Sequence, residues 1–315
     1  MIVFVFRRIL VLIPTLVGMV LAVFLLIHLA PGDPIALLFD VNVDRVSQEE
    51  IDRLRAVHGL DRPLHEQFAT YVWRVANGDL GRSIRSNAPV AREIQRNLAP
   101  TAHLALAGLA LGLVLGISAG VIAAIWRNSL ADYLVLTAAI LGLAAPNFWL
   151  GILLIYVFSF QLGLFPVAGV GDGTLQTTLY HLVLPAFVVG TSLAALIARL
   201  TRSAMLEIMS EDFIRTARAK GLSPATVQLK HAFRNAAIPI VTAASALSAF
   251  LFTGSVIVEV VFSRRGLGAL IVSAINARDF PMVQGLILVF GVTIVFFNLL
   301  SDLMCGWLDP RVSYE

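Results

Sequence analysis

Two groups of side chains in this sequence have the types and spacing to do something specific. The first is Ser245, Ser248, Phe252, Ser255 and Glu259, at i, i+3, i+7, i+10 and i+14. At about 100° per residue these five share one helix face roughly 80° wide, with Thr242 near its edge. A face of hydroxyls ending in an acid, set in apolar sequence, allows two readings. It lines a polar path, with Phe252 as a plug, or it packs helix on helix through small residues, with Glu259 at an interface. The second group is basic: Arg199, Arg202, Arg215, Arg218, Lys220, Lys230 and Arg234 fall between two apolar stretches.

Bond-making chemistry is not indicated. The six histidines are scattered, and Cys305 is the single cysteine, so neither a metal site nor a disulfide framework is expected. Lys220 and Lys230 are the only lysines, against 21 arginines, and neither follows a phosphate-cradling glycine loop. No catalytic residues are assigned, and the chain is not expected to hydrolyse a nucleotide itself. Asn298 and Asp302 stand at i, i+4 near the end of an apolar run; a structural pair or an interfacial side chain explains them better than a proton relay.

The elements that must position these residues follow from hydropathy. The chain is 58% hydrophobic and 14% charged, with mean hydropathy +0.85, whereas a soluble domain carries roughly 25% charged residues. Six stretches are long and apolar enough to cross a bilayer: 9–30, 101–126, 134–160, 182–200, 236–262 and 282–307. The first follows Arg7 and Arg8 and reads as an uncleaved anchor. The fold class is therefore an all-α integral membrane protein of six spans.

Orientation comes from the short loops. The basic loop between spans four and five is assigned to the cytoplasm. Residues 161–181 hold no lysine or arginine and are assigned outside. Both termini then lie inside, although Arg264, Arg265 and Arg278 fall outside. Residues 31–100 are polar, with helix-like runs at 47–57 and 63–76, and read as an external helical subdomain. The expected organisation is an N-terminal helix 1–30, this subdomain 31–100, a five-helix core 101–308 containing a cytoplasmic loop 203–235, and a cytoplasmic tail 309–315.

Within the spans, Gly108, Gly112, Gly116 and Gly120 make a stripe that lets another backbone approach closely, inside the chain or between subunits. Pro146-Asn147 kinks the third span. Asn147 marks either a transport path or a polar contact to a neighbouring helix.

The basic loop reads as ordered. Ser210 is placed to cap a helix over 210–221, with Glu211 and Asp212 in its first turn, Arg218 and Lys220 in its last, and Gly221 closing it. Ser223-Pro224 then starts the next helix. A basic anchor lying on anionic lipid would explain the charge but not these adjoining caps.

Here the sequence resembles a family. Glu211-Asp212-Phe213-Ile214-Arg215-Thr216-Ala217-Arg218-Ala219-Lys220-Gly221, followed by His231-Ala232-Phe233-Arg234-Asn235-Ala236, is similar to the "EAA" loop of type I permease subunits of ATP-binding-cassette importers, in the B-type form of the dipeptide and oligopeptide branch. Arg215 and Thr216 stand where the wider pattern has Glu and Ala, while Ala217 and Gly221 match. Further matches follow in order: Pro31-Gly32-Asp33-Pro34, Gly78-Asp79-Leu80-Gly81, Phe148-Trp149-Leu150-Gly151, Arg278-Asp279-Phe280-Pro281 and Asp309-Pro310-Arg311. Before Gly266-Leu267-Gly268, where the branch has Trp-Pro, this chain has Arg264-Arg265.

The resemblance implies the type I permease fold in a bacterial inner membrane. It also implies partners: a second homologous permease subunit, two ATPase subunits carrying the ATP and Mg, and a periplasmic or lipid-anchored peptide-binding protein. No nucleic acid is involved, and no cofactor is expected on this chain. The loop's Glu211, Asp212, Arg215, Ala217, Arg218, Ala219 and Gly221 would form the helix that docks on an ATPase. Dipeptides or oligopeptides are the implied cargo, with glutathione or a nickel complex as the alternative. A proton-coupled transporter would need more buried titratable groups and repeated halves, which the sequence lacks.

Overall fold

The computed structural model describes residues 2–29, 49, 53, 56 and 61–308. The expected helix at 47–57, the Pro31–Pro34 motif, the Asp309–Arg311 motif and the tail lie outside the described residues, apart from residues 49, 53 and 56, which are helical. The side chains of Arg7 and Arg8 also lie outside them.

The described chain is helical. In order it forms α1 (Ile2–Leu29), α2 (Leu64–Ala76), α3 (Val90–Ile125), α4 (Leu130–Ala144), α5 (Asn147–Leu154), a π-helical turn Ile155–Gln161, α6 (Leu175–Met209), α7 (Asp212–Ala219), a second π segment Thr226–Ala232, α8 (Phe233–Val261), α9 (Leu267–Asn276) and α10 (Phe280–Leu308). Four runs are long and apolar enough to cross a membrane: Val90–Ile125, Leu175–Met209, Thr226–Val261 and Phe280–Met304. The pair Leu130–Ala144 and Asn147–Gln161 makes a fifth if counted as one span, and α1 contributes a shorter apolar run, Leu10–Leu25. The six expected spans correspond to α1, α3, the α4–α5 pair, α6, α8 and α10.

The third span is broken, not merely kinked: its two halves are bent by 104° from one another. The cause is local. A residue before proline is driven out of the α region, and Ala145 is extended at ψ 121°. Pro146 then caps α5, so Asn147 opens a new helix.

The chain divides into two compact units, one holding 100–265 and 296 onward, the other 2–99 and 266–295. In the first unit α3, α6 and α8 build the core around Leu104, Val188, Ile197, Ile240 and Phe262. The glycine stripe explains how α3 and α6 approach. A Cβ on Gly116 would stand 2.7 Å from the Ala194 carbonyl oxygen, and one on Gly120 2.5 Å from that of Ala198. Gly108 and Gly112 meet Val189, Gly190 and Leu193 in the same way. The stripe is therefore packed inside this chain.

In the second unit, Phe24 of α1 packs against Phe68 and Tyr71 of α2, and His28, beside Phe24, bonds to the Gln67 side-chain oxygen at 3.2 Å. Burial pushes the Tyr71 phenol up to about 12. Val90, Ile94, Leu267, Ala274, Met282 and Leu286 form this unit's apolar centre.

Candidate functional site

The loop between α6 and α8 is ordered throughout. Ser210 does not cap α7. It ends α6, donating its hydroxyl to the Glu207 carbonyl at 2.7 Å, and Glu211 is the extended residue at the start of α7. Helix α7 is thus shorter than the expected 210–221. Its far end fits the expectation. The Gly221 amide bonds to Arg218 O at 2.9 Å and the Leu222 amide to Ala217 O at 3.4 Å, with Gly221 at φ +78°. This pair of bonds is a Schellman closure, which requires a left-handed residue at that position. Ser223 Oγ then accepts from the Thr226 amide at 3.4 Å, starting the next helix ahead of Pro224.

Helix α7 presents two surfaces. Ile214 and Ala217, at i and i+3, are buried in the core of the first unit. Glu211, Asp212, Phe213, Arg215, Thr216, Arg218, Ala219, Lys220 and Gly221 are exposed. Arg215 and Asp212 pair across one turn at 3.2 Å, both largely in water, a contact worth little by itself. The helix is held by two apolar residues and offers a charged rim around Phe213.

The polar face of α8 is brought together as its spacing dictates, but under the chain's own helices. Ser245, Ser248, Phe252, Ser255 and Glu259 are all buried. Ser245 bonds to Ser301 on α10 at 3.0 Å. The three serine hydroxyls donate to carbonyls three residues back, those of Thr242, Ser245 and Phe252. Phe252 packs against Phe297 with the rings tilted by 39° and their centroids 5.0 Å apart. Glu259 accepts from Thr101 of α3 at 2.7 Å, with Ser255 at 3.4 Å. In this chain the face is a seam between α8, α3 and α10. Asn147 lies apart from it, at the start of α5, where its side-chain oxygen accepts from Ser192 of α6 at 3.3 Å.

Two groups outside the expected set complete the picture. Asp132, at the start of α4, accepts two hydrogen bonds from Arg202 on α6, from Nε at 2.6 Å and from Nη2 at 2.8 Å. It also accepts from the Asn128 amide. This planar two-point pair ties the α3–α4 turn to α6. At the other end of α8, Arg264 is buried while Arg265 is exposed. Burial pushes the Arg264 guanidinium down from its ordinary value, opposed by the nearby Glu259 carboxylate. Neither Thr101, Ser301 nor Asp132 announces itself by spacing, because each matters only through a partner far along the chain.

The comparisons agree with this architecture. The family described as "Binding-protein-dependent transport system inner membrane component" matches residues 116–314, and "Binding-prot-dependent transport system membrane comp, N-term" matches residues 1–105. The chain is 41% identical over 312 residues to "Glutathione transport system permease protein GsiC" of Escherichia coli O6:H1 (strain CFT073), covering 99% of both chains. It is 40% identical to the protein of that name in Escherichia coli (strain K12), again covering 99% of both. Among solved structures, the inward-facing MetNI methionine ABC transporter matches with TM-score 0.57 at 19% identity, over 69% of this chain and 96% of that one. An amino acid ABC transporter with histidines gives 0.50 at 17% identity, over 69% and 94%. The two structures show the fold, that of an ABC importer permease, and family membership rests on the sequence matches. The chain belongs to the binding-protein-dependent transport system inner membrane component family, as a multi-pass inner-membrane permease subunit of an ABC importer that works with ATPase and substrate-binding partners.

Proposed function

We propose that this subunit carries short peptides inward, glutathione, itself a tripeptide, being the first candidate. The observation that supports this is full-length identity of 40–41% to permeases named for glutathione transport. We propose that it pairs with a second, homologous permease subunit, that two ATPase subunits bind ATP and Mg on the cytoplasmic side, and that a periplasmic or lipid-anchored protein delivers the solute. Both termini are cytoplasmic in this reading, from the concentration of basic residues between 199 and 234. A reporter fused after Gly171 then reads external and one after Gly221 cytoplasmic; the reverse at both sites contradicts it.

Coupling is assigned to α7. Its exposed Glu211, Asp212, Arg215, Arg218, Ala219 and Gly221 surround Phe213, and its buried Ile214 and Ala217 pass displacement to the core. The serine face of α8, with Phe252 and Glu259, meets the solute in this reading only when α8 parts from α3 and α10. Asn147 sits at the break of the third span, the kind of discontinuity that borders transport paths.

The test is uptake by proteoliposomes holding the full complex, the cognate binding protein and internal ATP. Labelled glutathione or a dipeptide enters in an ATP-dependent manner if the proposal holds. Uptake of neither, with a non-peptide solute transported instead, refutes the cargo assignment.

A further inference from the structure

Helix α6 contains Pro185. Proline has no amide hydrogen, so the carbonyl four residues earlier loses its helical donor. That carbonyl belongs to His181. Arg264, from the turn after α8, reaches it: Nη1 donates to His181 O at 2.9 Å. The same nitrogen donates to Gly169 O at 3.1 Å, and the Gly169 amide donates to Phe262 O at 3.1 Å. The loop 162–174 and the first turns of α6 are thus stitched to the end of α8 by three hydrogen bonds, two of them from one guanidinium.

The turn that aims Arg264 is itself unusual. Ser263 stands at φ 45°, a region that residues with a β-carbon rarely occupy. The Arg264 amide returns to Glu259 O at 2.8 Å and that of Ser263 to Val260 O at 3.1 Å, so a serine fills the left-handed position that closes α8. This fold of the backbone turns the arginine inward, where only 2% of it is exposed. A buried charge persists when hydrogen bonds and an opposite charge compensate it. Two carbonyl acceptors and the Glu259 carboxylate, which raises its proton affinity, supply that here.

We infer that Arg264 is a positioning residue of the transport cycle: it fastens the 162–174 loop and the proline-containing start of α6 to the end of α8, so that these three pieces move as one body. Helix α6 runs on to α7, and α8 carries the serine face, so the fastening closes, at one end, a loop that α7 closes at the other. The fastening holds whatever the solute; its role in turnover rests on the transport cycle proposed above.

The test uses the full complex with Cys305 replaced by serine and spin labels on Ala168→Cys and Arg265→Cys, both at exposed positions. Dipolar broadening between the labels is expected to be the same in the resting complex and in the complex trapped with ATP and vanadate. Arg264→Met is expected to lose the broadening and to lower substrate-stimulated ATP hydrolysis several-fold, with ATPase co-purification unchanged. Arg264→Lys keeps one cationic donor within reach of the same two carbonyls and is expected to recover part of both signals; a role in packing alone would not distinguish lysine from methionine. Broadening that persists in Arg264→Met, or Arg264→Lys that behaves like Arg264→Met, overturns the inference. Should Arg264→Met not assemble, the unsubstituted complex still decides: broadening that changes between the resting and trapped states overturns it.

Discussion

Ser83 donates its hydroxyl to the Asp279 carboxylate at 2.5 Å, across 196 residues of sequence. Asp279 also accepts from the Ile84 amide at 3.2 Å and from the Met282 amide at 3.3 Å. One buried acid therefore starts α10 and holds the segment after Gly78-Asp79-Leu80-Gly81. Two short motifs that look unrelated in sequence are halves of one clasp. The Asp79 carboxyl, held below the usual range by its bond to Arg74 and then by the Gly81 amide, shapes the turn that presents Ser83.

Asp279→Ala leaves one hydroxyl and two amides without their acceptor. A buried donor left unmade costs about 1–3 kcal/mol. The variant is expected to lower the thermal midpoint of the purified complex, and Ser83→Ala to lower it less. The two effects should be strongly non-additive when combined. Additive effects in the double variant would show that the two side chains act independently.

Gly116→Leu and Gly120→Leu test the α3–α6 seam. The obstacles are the Ala194 and Ala198 carbonyls, which belong to a helix backbone and cannot rotate away. Overpacking of this kind costs about 1–3 kcal/mol or more, read as a lower melting temperature and reduced yield of the detergent-purified subunit. Gly254→Leu on α8 is the control, since nothing lies within 4 Å of its added carbon.

Much of this was legible in the sequence, for reasons that differ by feature. The spans follow from hydropathy alone, and the glycine stripe from its four-residue spacing. The Gly221 closure and the Ser223-Pro224 start follow from local capping chemistry. Ser210 misled because a serine between two helices can serve either one, and only the backbone angles of Glu211 decide which. The 104° break and the two π segments depend on packing that no local pattern carries. The serine face was right as a face, but its burial depends on Thr101, Phe297 and Ser301, which periodicity within α8 cannot reveal. Arg264 read as an external charge, although the proline four residues after His181 already left a carbonyl in need of a donor.

The loop ahead of α6 carries a pH signature. Asp172 is pulled down to about 2, first by the Thr177 hydroxyl and then by the Thr174 amide and hydroxyl, a cluster at the start of α6. A lowered carboxyl stabilises the fold above its unfolded value of about 4 and loses that contribution as pH falls through its folded value. The melting-temperature difference between the protein and Asp172→Ala is therefore expected to be constant above pH about 4 and to shrink as the pH approaches about 2. A difference that grows on acidification contradicts this.

Phe252→Ala separates packing from plugging. Loss of the Phe297 contact and the buried ring costs about 3–5 kcal/mol if the site cannot collapse. If Phe252 also seals the resting path, proteoliposomes carrying the variant leak small solutes without ATP. A destabilised but tight variant makes Phe252 a packing residue only.

The central claim is that α7 joins this subunit to an ATPase, and Gly221→Val tests it most directly. Gly221 sits at φ +78° with open space around it, so the substitution strains the Schellman closure by roughly 1 kcal/mol or more without disturbing the core. The measurement is co-purification of the ATPase subunits with the variant, alongside substrate-stimulated hydrolysis in proteoliposomes containing the binding protein. The account predicts normal membrane insertion, weakened ATPase retention and a matching fall in stimulated hydrolysis. Full retention with normal stimulated hydrolysis would contradict it and leave α7 as an anchor on the lipid surface.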